Sequence, residues 1–275
     1  MFTSSGLLRV VFPRRSDEVH KGHFGRLLVV AGSEVYTGSA CFVSMAAYRA
    51  GCDMVYVAAP ERAADVAAGF SPMVMTKALE GGFLSRGHVA EVLEFSRRVR
   101  ATAVVVGPGL GRGKKTRRAV VELVAGLDLP TVVDADAVRA LSGKPSAVEG
   151  KEVVLTPHAD EFRELTGKAL GSDVKERVPA VAEAALSWGQ VFLVKGNIDV
   201  IASPSRVVAN RTGTPFMTKG GFGDTLAGLL GAFVARNVNV FTAAYVNGKA
   251  GELAAAEFKE GVTPLDLIGR IPSVK

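Results

Sequence analysis

Six short runs in this 275-residue chain are largely apolar at successive positions rather than at every second one. They cover residues 26–31, 54–58, 103–106, 131–133, 153–155 and 191–194, and most end in glycine or a polar cluster. A strand with one wet face alternates; one without alternation is buried on both. Between the runs lie stretches apolar at helical spacing: 39–50, 88–99, 116–125 and 178–188. Pro60 and Glu61 open a further short helix, and 73–76 reads as another strand. Strand–helix alternation of this kind predicts an α/β fold, a mainly parallel sheet with helices on both faces. Near the end, 198–202 and 207–209 flank Ser203-Pro-Ser-Arg206 and read as an antiparallel hairpin. Helices over 224–236 and 240–258 close the chain. With no linker, low-complexity segment or repeat, residues 1–275 read as one domain.

In an open parallel sheet, ligands bind beyond the carboxyl ends of the strands. The unusual glycine and polar clusters fall there: 32–39, 107–111, 134–136, 156–161, 195–199 and 220–224. They are expected to share one crevice. Gly107-Pro-Gly-Leu-Gly111 is not the dinucleotide fingerprint, because Arg112 stands where the third glycine belongs. The 32–39 loop lacks the lysine of a Walker loop.

The strongest chemical signal is Thr218-Lys-Gly-Gly-Phe-Gly-Asp-Thr225, followed by an apolar helical run. Glycines before a helix let backbone N–H groups converge where the helix dipole is positive, which makes an anion site. Asp224 is repelled by a phosphate there and is better suited to take a proton from an attacking hydroxyl. For His158, the plain reading has Thr156 capping a helix with Pro157 in its first position. The histidine is left over, free to bond a substrate amide or hydroxyl. Lys195 reads as a surface lysine or a point charge for a nucleotide phosphate. Asp134 and Asp136 read as a strand end and a helix cap rather than a metal site.

The net charge of +6 suits an anionic partner. Aromatic residues make up 7% of the chain and do not interleave with basic ones, which argues against single-stranded nucleic acid. The densest basic run, Arg112 to Arg118, follows a glycine loop and reads as a solvated helix face or a contact for a phosphate-rich small substrate. No apolar run reaches the roughly 20 residues of a membrane span. Residues 1–11 lack the apolar core of a secretory signal, so a cytoplasmic protein is expected. Cys41 and Cys52 fit no zinc spacing and read as buried thiols.

In order, the stretches HKGHFGRLLVVAGS…YTGSA, GPGLGR, DADAV, TPHADEF, KGNIDVI and GGFGDTLAG resemble the ADP- or ATP-dependent NAD(P)H-hydrate dehydratases over residues 20–260. The resemblance implies a ribokinase-like three-layer fold and a stand-alone dehydratase without the family's epimerase half. It implies repair of NADH or NADPH hydrated at C6, in the (S) epimer: the hydroxyl is phosphorylated, then phosphate is expelled. Carried over, Asp224 is the catalytic base. Lys195, Gly196, Asn197, Ile198, Asp199, Thr214, Gly220, Gly221, Phe222 and Gly223 hold ADP or ATP. Ser39, Ala40, Gly111, His158 and Asp224 hold the hydrate. Mg²⁺ travels with the nucleotide, and a homotetramer is expected. Three departures stand out: Phe222 for a small residue, Ser39 for alanine, and Lys219 for a smaller or amide residue. Two other readings remain open from the residues. One is a ribokinase-like kinase of small alcohols or vitamin precursors; the other is a non-enzymatic nucleotide sensor or nucleic-acid binder.

Overall fold

Side-chain alternation along the strands splits the core into two layers. The computed structural model describes residues 2–4, 6 and 11–274; the reading of 1–11 falls largely outside them. Nine strands form one sheet: β1 (Arg26–Val30), β2 (Met54–Pro60), β3 (Met75–Leu79), β4 (Ala103–Val106), β5 (Thr131–Val133), β6 (Val153–Leu155), β7 (Val191–Val194), β8 (Asp199–Ser203) and β9 (Arg206–Asn210). Their spatial order is β3-β2-β1-β4-β5-β6-β7-β8-β9. From β3 to β7 every pair is parallel, and β8 and β9 add an antiparallel hairpin. The chain first builds outward from β1 to β3, then resumes at β4 on the other side of β1. The β1/β4 seam is therefore the topological switch point.

Leu27, Val29, Val55, Val105, Val132 and Leu193 face one core. It is covered by α1 (Ser39–Arg49), α2 (Glu61–Phe70), α8 (Phe222–Ala235), α9 (Ala243–Phe258) and α10 (Pro264–Arg270). Leu28, Val30, Val104, Val106, Leu155 and Phe192 face the other. There the cover is α3 (Val89–Arg98), α4 (Lys114–Gly126), α5 (Asp136–Ala140), α6 (Ala159–Thr166) and α7 (Val174–Trp188). Continuous apolar strands thus mean two buried faces, as the sequence implied.

The boundaries differ in places. The strand expected at 73–76 is displaced to Met75–Leu79, where it pairs with β2. Asp173 starts α7 four residues before the expected 178, accepting from the Lys175 N–H at 2.9 Å. Residues Val240–Thr242 form a 3-10 turn, and α9 proper begins at Ala243. The short helix α10, started by a Thr263–Asp266 capping box, was not expected; α5 was implied only by the reading of Asp136 as a cap.

Helix α8 is the most buried helix and its glycines explain how closely it sits. A Cβ on Gly228 would lie 2.2 Å from the Val43 carbonyl oxygen of α1; one on Gly231 would lie 2.4 Å from Val105 Cγ2 of β4. The near neighbour of Gly228 is backbone and has nowhere to move. Gly228→Ala is therefore expected to lower stability by about 1–3 kcal/mol despite the better helix propensity of alanine. Chemical denaturation checks this.

Candidate active site

The turn before α8 sets the site. Gly221 adopts a left-handed conformation (φ 98°) and a Cβ there would meet Phe42 and Pro264 at 2.9 Å. The first bond of the helix runs from the Thr225 N–H to the Gly221 carbonyl at 3.0 Å. The N–H groups of Phe222, Gly223 and Asp224 precede it and have no acceptor within the helix. The Phe222 ring is 5% exposed and turns into the core, so it does not crowd the donors its backbone supplies. Lys219 is not free for a phosphate: its Nζ donates to the carbonyls of Glu260 and, at 2.7 Å, Val262.

Asp224 stands in the first turn of α8. Burial pushes its carboxyl up to about 7, and the charge of Asp134 adds to that; the Ser39 side chain and the Lys195 ammonium pull it down, while Asp136 raises it further. Ser39 opens α1, and Gly109, with φ 67°, comes close enough that a Cβ would sit 2.7 Å from Ser39 Oγ. The β4 glycine loop, α1 and α8 thus meet at this carboxylate.

Beside it lies a buried ion pair. Lys195 Nζ, at the end of β7, donates to Asp134 Oδ1 at 2.8 Å, and the Thr156 hydroxyl donates to the same oxygen at 2.6 Å. Asp134 is 1% exposed. Burial would lower the lysine's pKa, but Asp134, Glu161 and Asp224 outweigh it, so Lys195 is a cation. Three neighbouring strand ends, β5, β6 and β7, supply the three groups. The capping roles expected of Asp136 and Thr156 are corrected, while Asp134 stands at the strand end where it was read. Ala135 is the residue before α5 and no side chain caps that helix. Asp136 instead accepts the Gly111 N–H at 2.8 Å and pairs with Arg112. Ala135 pays for this with a positive φ of 49°, rare for a residue with a Cβ.

The histidine also reads differently. His158 itself caps α6, its Nδ1 accepting the N–H groups of Asp160 and Glu161 at 3.1 and 3.3 Å. Its Nε2 lies 3.3 Å from Glu161 Oε1 and 3.4 Å from Arg139. The ring is held from below and half exposed above.

A cleft of about 500 Å³ opens next to the α8 turn. Of the ten residues expected to hold nucleotide, Lys195, Gly196, Asn197, Asp199, Thr214, Phe222 and Gly223 line it. Ile198, Gly220 and Gly221 do not; the Ile198 carbonyl is turned to Arg177 at 2.8 Å, and Gly220 is exposed at the rim. Ala40 is wholly buried, so only its backbone is available to a ligand. Gly111 borders a different pocket, beside the basic start of α4.

Several residues that shape the cleft were missed. Arg177, 5% exposed, donates to the carbonyls of Lys195 and Ile198 and braces the 195–199 loop. A Cβ on Gly196 would collide with it at 2.4 Å. Its signal was present: Arg177 shares the buried face of α7 with Val181, Ala184 and Ala185. Asp199, already among the expected nucleotide residues, accepts from the Gly196 N–H and from Asn210, and burial raises its carboxyl. Thr212, Gly213, Asn247 and Gly248 also line the cleft. A Cβ on Gly248 would strike Thr212 Oγ1 at 2.3 Å, so an Asn-Gly pair inside an alanine-rich helix was the clue.

The profile of the NAD(P)H-hydrate dehydratase family matches residues 27–273. A bifunctional NAD(P)H-hydrate repair enzyme, Nnr, of Pyrobaculum aerophilum is 44% identical over 269 residues, 96% of this chain and 52% of that protein. The chain spans about half the length of such bifunctional relatives. An ADP-dependent (S)-NAD(P)H-hydrate dehydratase of Cenarchaeum symbiosum is 35% identical over 273 residues, 97% of this chain and 94% of that one. The crystal structure of an ADP/ATP-dependent NAD(P)H-hydrate dehydratase from Bacillus subtilis, co-crystallised with ATP/Mg²⁺, superposes with a TM-score of 0.85 at 27% identity, covering 99% and 96% of the two chains. The expected ribokinase-like, mainly parallel three-layer fold is the one found.

The raised carboxyl of Asp224 has a cost in stability. Its folded pKa lies above its unfolded value of about 3.8, so the folded state holds the proton more tightly. Stability from this group is full below pH 4, falls as pH rises to about 7, and is flat above. Asp224→Asn is expected to melt above the parent at pH 8, with the difference closing as pH falls from 7 to 4. Thermal denaturation across that range checks it.

Proposed function

This chain belongs to the NAD(P)H-hydrate dehydratase family, and from that premise we propose that it restores NADH and NADPH from their C6-hydrated (S) forms at the expense of ADP or ATP. The observation that most supports this reading is the carboxyl of Asp224, poised at about 7 beside a turn of free N–H groups and the Lys195 ammonium. At neutral pH it is ionised often enough to accept a proton and basic enough to hold one.

The donor nucleotide occupies the 500 Å³ cleft, with its terminal phosphate against the N–H groups of Phe222 and Gly223. Lys195, whose Nζ lies near Gly223, is held there by Asp134 and supplies positive charge without leaving its place. The C6 hydroxyl of the hydrate meets Asp224. As its oxygen bonds to phosphorus, the bond from phosphorus to the bridging oxygen of the nucleotide breaks, and the proton passes to Asp224. The N–H groups stabilise charge on the phosphoryl oxygens. The nitrogen lone pair of the reduced ring then expels inorganic phosphate from C6, and loss of the C5 proton restores the dihydronicotinamide. AMP leaves when ADP is the donor, ADP when it is ATP.

His158 and the backbone at Ser39, Ala40 and Gly111 hold the hydrate. His158 is suited to that task because its ring is fixed by backbone at Nδ1 and by Glu161 at Nε2 while its side chain stays half exposed. Among the described residues no group of three or more His, Cys, Asp or Glu side chains can hold a metal. Asp134 is already engaged by lysine and threonine. This donor set suits Mg²⁺ carried on the nucleotide phosphates with water around it, where it offsets phosphate charge. The chain acts as one domain, in a homotetramer and in the cytoplasm; no helix among the described residues is long and apolar enough to cross a membrane.

With NADH hydrate and ADP or ATP, the protein is expected to release phosphate and restore absorbance at the reduced-nicotinamide band in equal amounts. A stable phosphate ester without recovered absorbance would instead mark an alcohol kinase. Asp224→Asn is expected to lower turnover by about 10²–10⁴-fold, the usual worth of a positioned base, with the fold retained by circular dichroism.

A further inference from the structure

Helix α7 carries one residue that its surroundings disfavour. Arg177 is 5% exposed and stands one turn from the N-terminus of α7, the helix end that repels a cation. Its guanidinium bonds to two carbonyls instead of a carboxylate. Asp199 is the acid whose charge reaches it, but the Asp199 oxygens are engaged by the Gly196 N–H and the Asn210 amide, each at 3.0 Å. Burial pulls the Arg177 pKa down, and Asp199 offsets part of that. A buried cation placed at such a cost needs a task.

The guanidinium holds the connection between β7 and β8. Nη1 donates to the Ile198 carbonyl at 2.8 Å and Nη2 to the Lys195 carbonyl at 3.2 Å, so one rigid fork ties both ends of the 195–198 turn. Lys195, Gly196 and Asn197 line the 500 Å³ cleft and Arg177 does not. The two carbonyl oxygens are thus engaged behind the turn, where they do not repel phosphate oxygens in the cleft. Gly196 makes room for the fork. Its φ is not left-handed, so the backbone itself does not ask for glycine. A Cβ there would lie 2.4 and 2.7 Å from Arg177 Nη1 and Nη2, and 2.9 Å from Cζ. The guanidinium occupies the space of a side chain at 196. An arginine tip ordinarily swings aside; this one is buried and both terminal nitrogens are bonded.

We propose that Arg177 is a positioning residue for the phosphoryl donor: fitted against Gly196, it fixes the 195–198 turn in the form that receives a nucleoside di- or triphosphate. It sets affinity for the donor without touching the donor, the hydrate or Asp224. The proposal rests on the reading of the 500 Å³ cleft as the donor's site. Lys195 keeps anchors of its own, the Pro157 carbonyl for its N–H at 2.9 Å and Asp134 for its ammonium. Loss of Arg177 therefore loosens the turn and leaves the charge beside Asp224 in place.

The test is calorimetric binding of ADP and ATP, without hydrate, to the parent, Arg177→Met, Arg177→Lys, Gly196→Ala and the double variant Arg177→Lys, Gly196→Ala, each checked for folding by circular dichroism. Arg177→Met leaves both carbonyls bare and Gly196→Ala displaces the guanidinium; each is expected to weaken nucleotide binding about tenfold or more. Arg177→Lys keeps the charge without the fork and is expected to fall between the parent and Arg177→Met. In the Gly196→Ala background Arg177→Lys is expected to add little further loss, because the smaller head leaves the new methyl its space. In turnover assays KM for the nucleotide rises, while kcat and KM for the hydrate stay within about twofold. If Arg177→Met does not fold, Arg177→Lys and Gly196→Ala carry the same comparison. Folded variants that bind ADP and ATP as the parent does, or losses at 177 and 196 that simply add, overturn the proposal. So does an equal rise in KM for hydrate and nucleotide, which marks general loosening. Turnover of NADH hydrate by the parent is measured alongside. Normal turnover with binding that ignores Arg177 removes this proposal alone; binding that depends on Arg177 in a parent without turnover removes the dehydratase reading alone.

Discussion

A partly buried carboxylate that is not paired with the nearest cation governs this structure. Lys195 is close enough to Asp224 to lower its pKa, yet its ammonium is bonded to Asp134. Were Asp224 to take that partner, it would be a fully ionised, weak base. Asp134 prevents this in two ways: it occupies the lysine, and its own charge raises the Asp224 carboxyl. The buried ion pair is thus better understood through what it does to its neighbour than through any stability of its own, since burying such a pair is costly.

The fold makes this arrangement possible by bringing parts from distant segments to one rim. Asp134, Thr156 and Lys195 stand at the ends of three adjacent parallel strands. Asp224 arrives from the other layer, on a helix pressed so tightly against α1 and β4 that two of its positions admit only glycine. Ser39 comes from α1 and touches the β4 glycine loop. The nucleotide cleft opens beside this meeting point, lined by Lys195, Phe222 and Gly223.

Much of this was legible in the sequence because the relevant signals are local. Apolar runs without alternation announced a sheet buried on both faces, and glycines before an apolar run announced the start of α8. What was misread depended on partners far along the chain. Asp134 looked like a plain strand end because its partner, Lys195, is 61 residues away. Thr156 was given the capping role that His158 fills, because a histidine with its Nδ1 free of hydrogen imitates the usual capping oxygens. Arg177 passed unnoticed although a charged residue on the buried face of a helix demands an acceptor. The glycines at 196 and 248 gave no hint of which side chain each makes room for.

The central claim is that Asp224 titrates near neutrality because it is desolvated and because Asp134 is ionised beside it. The most direct measurement is the carboxyl carbon chemical shift of Asp224 followed by NMR through a pH titration, in the parent and in Asp134→Asn. The account predicts a midpoint near 7 in the parent and a clearly lower one in the variant. A parent midpoint near the ordinary value of about 4, or one that Asp134→Asn leaves in place, would contradict it.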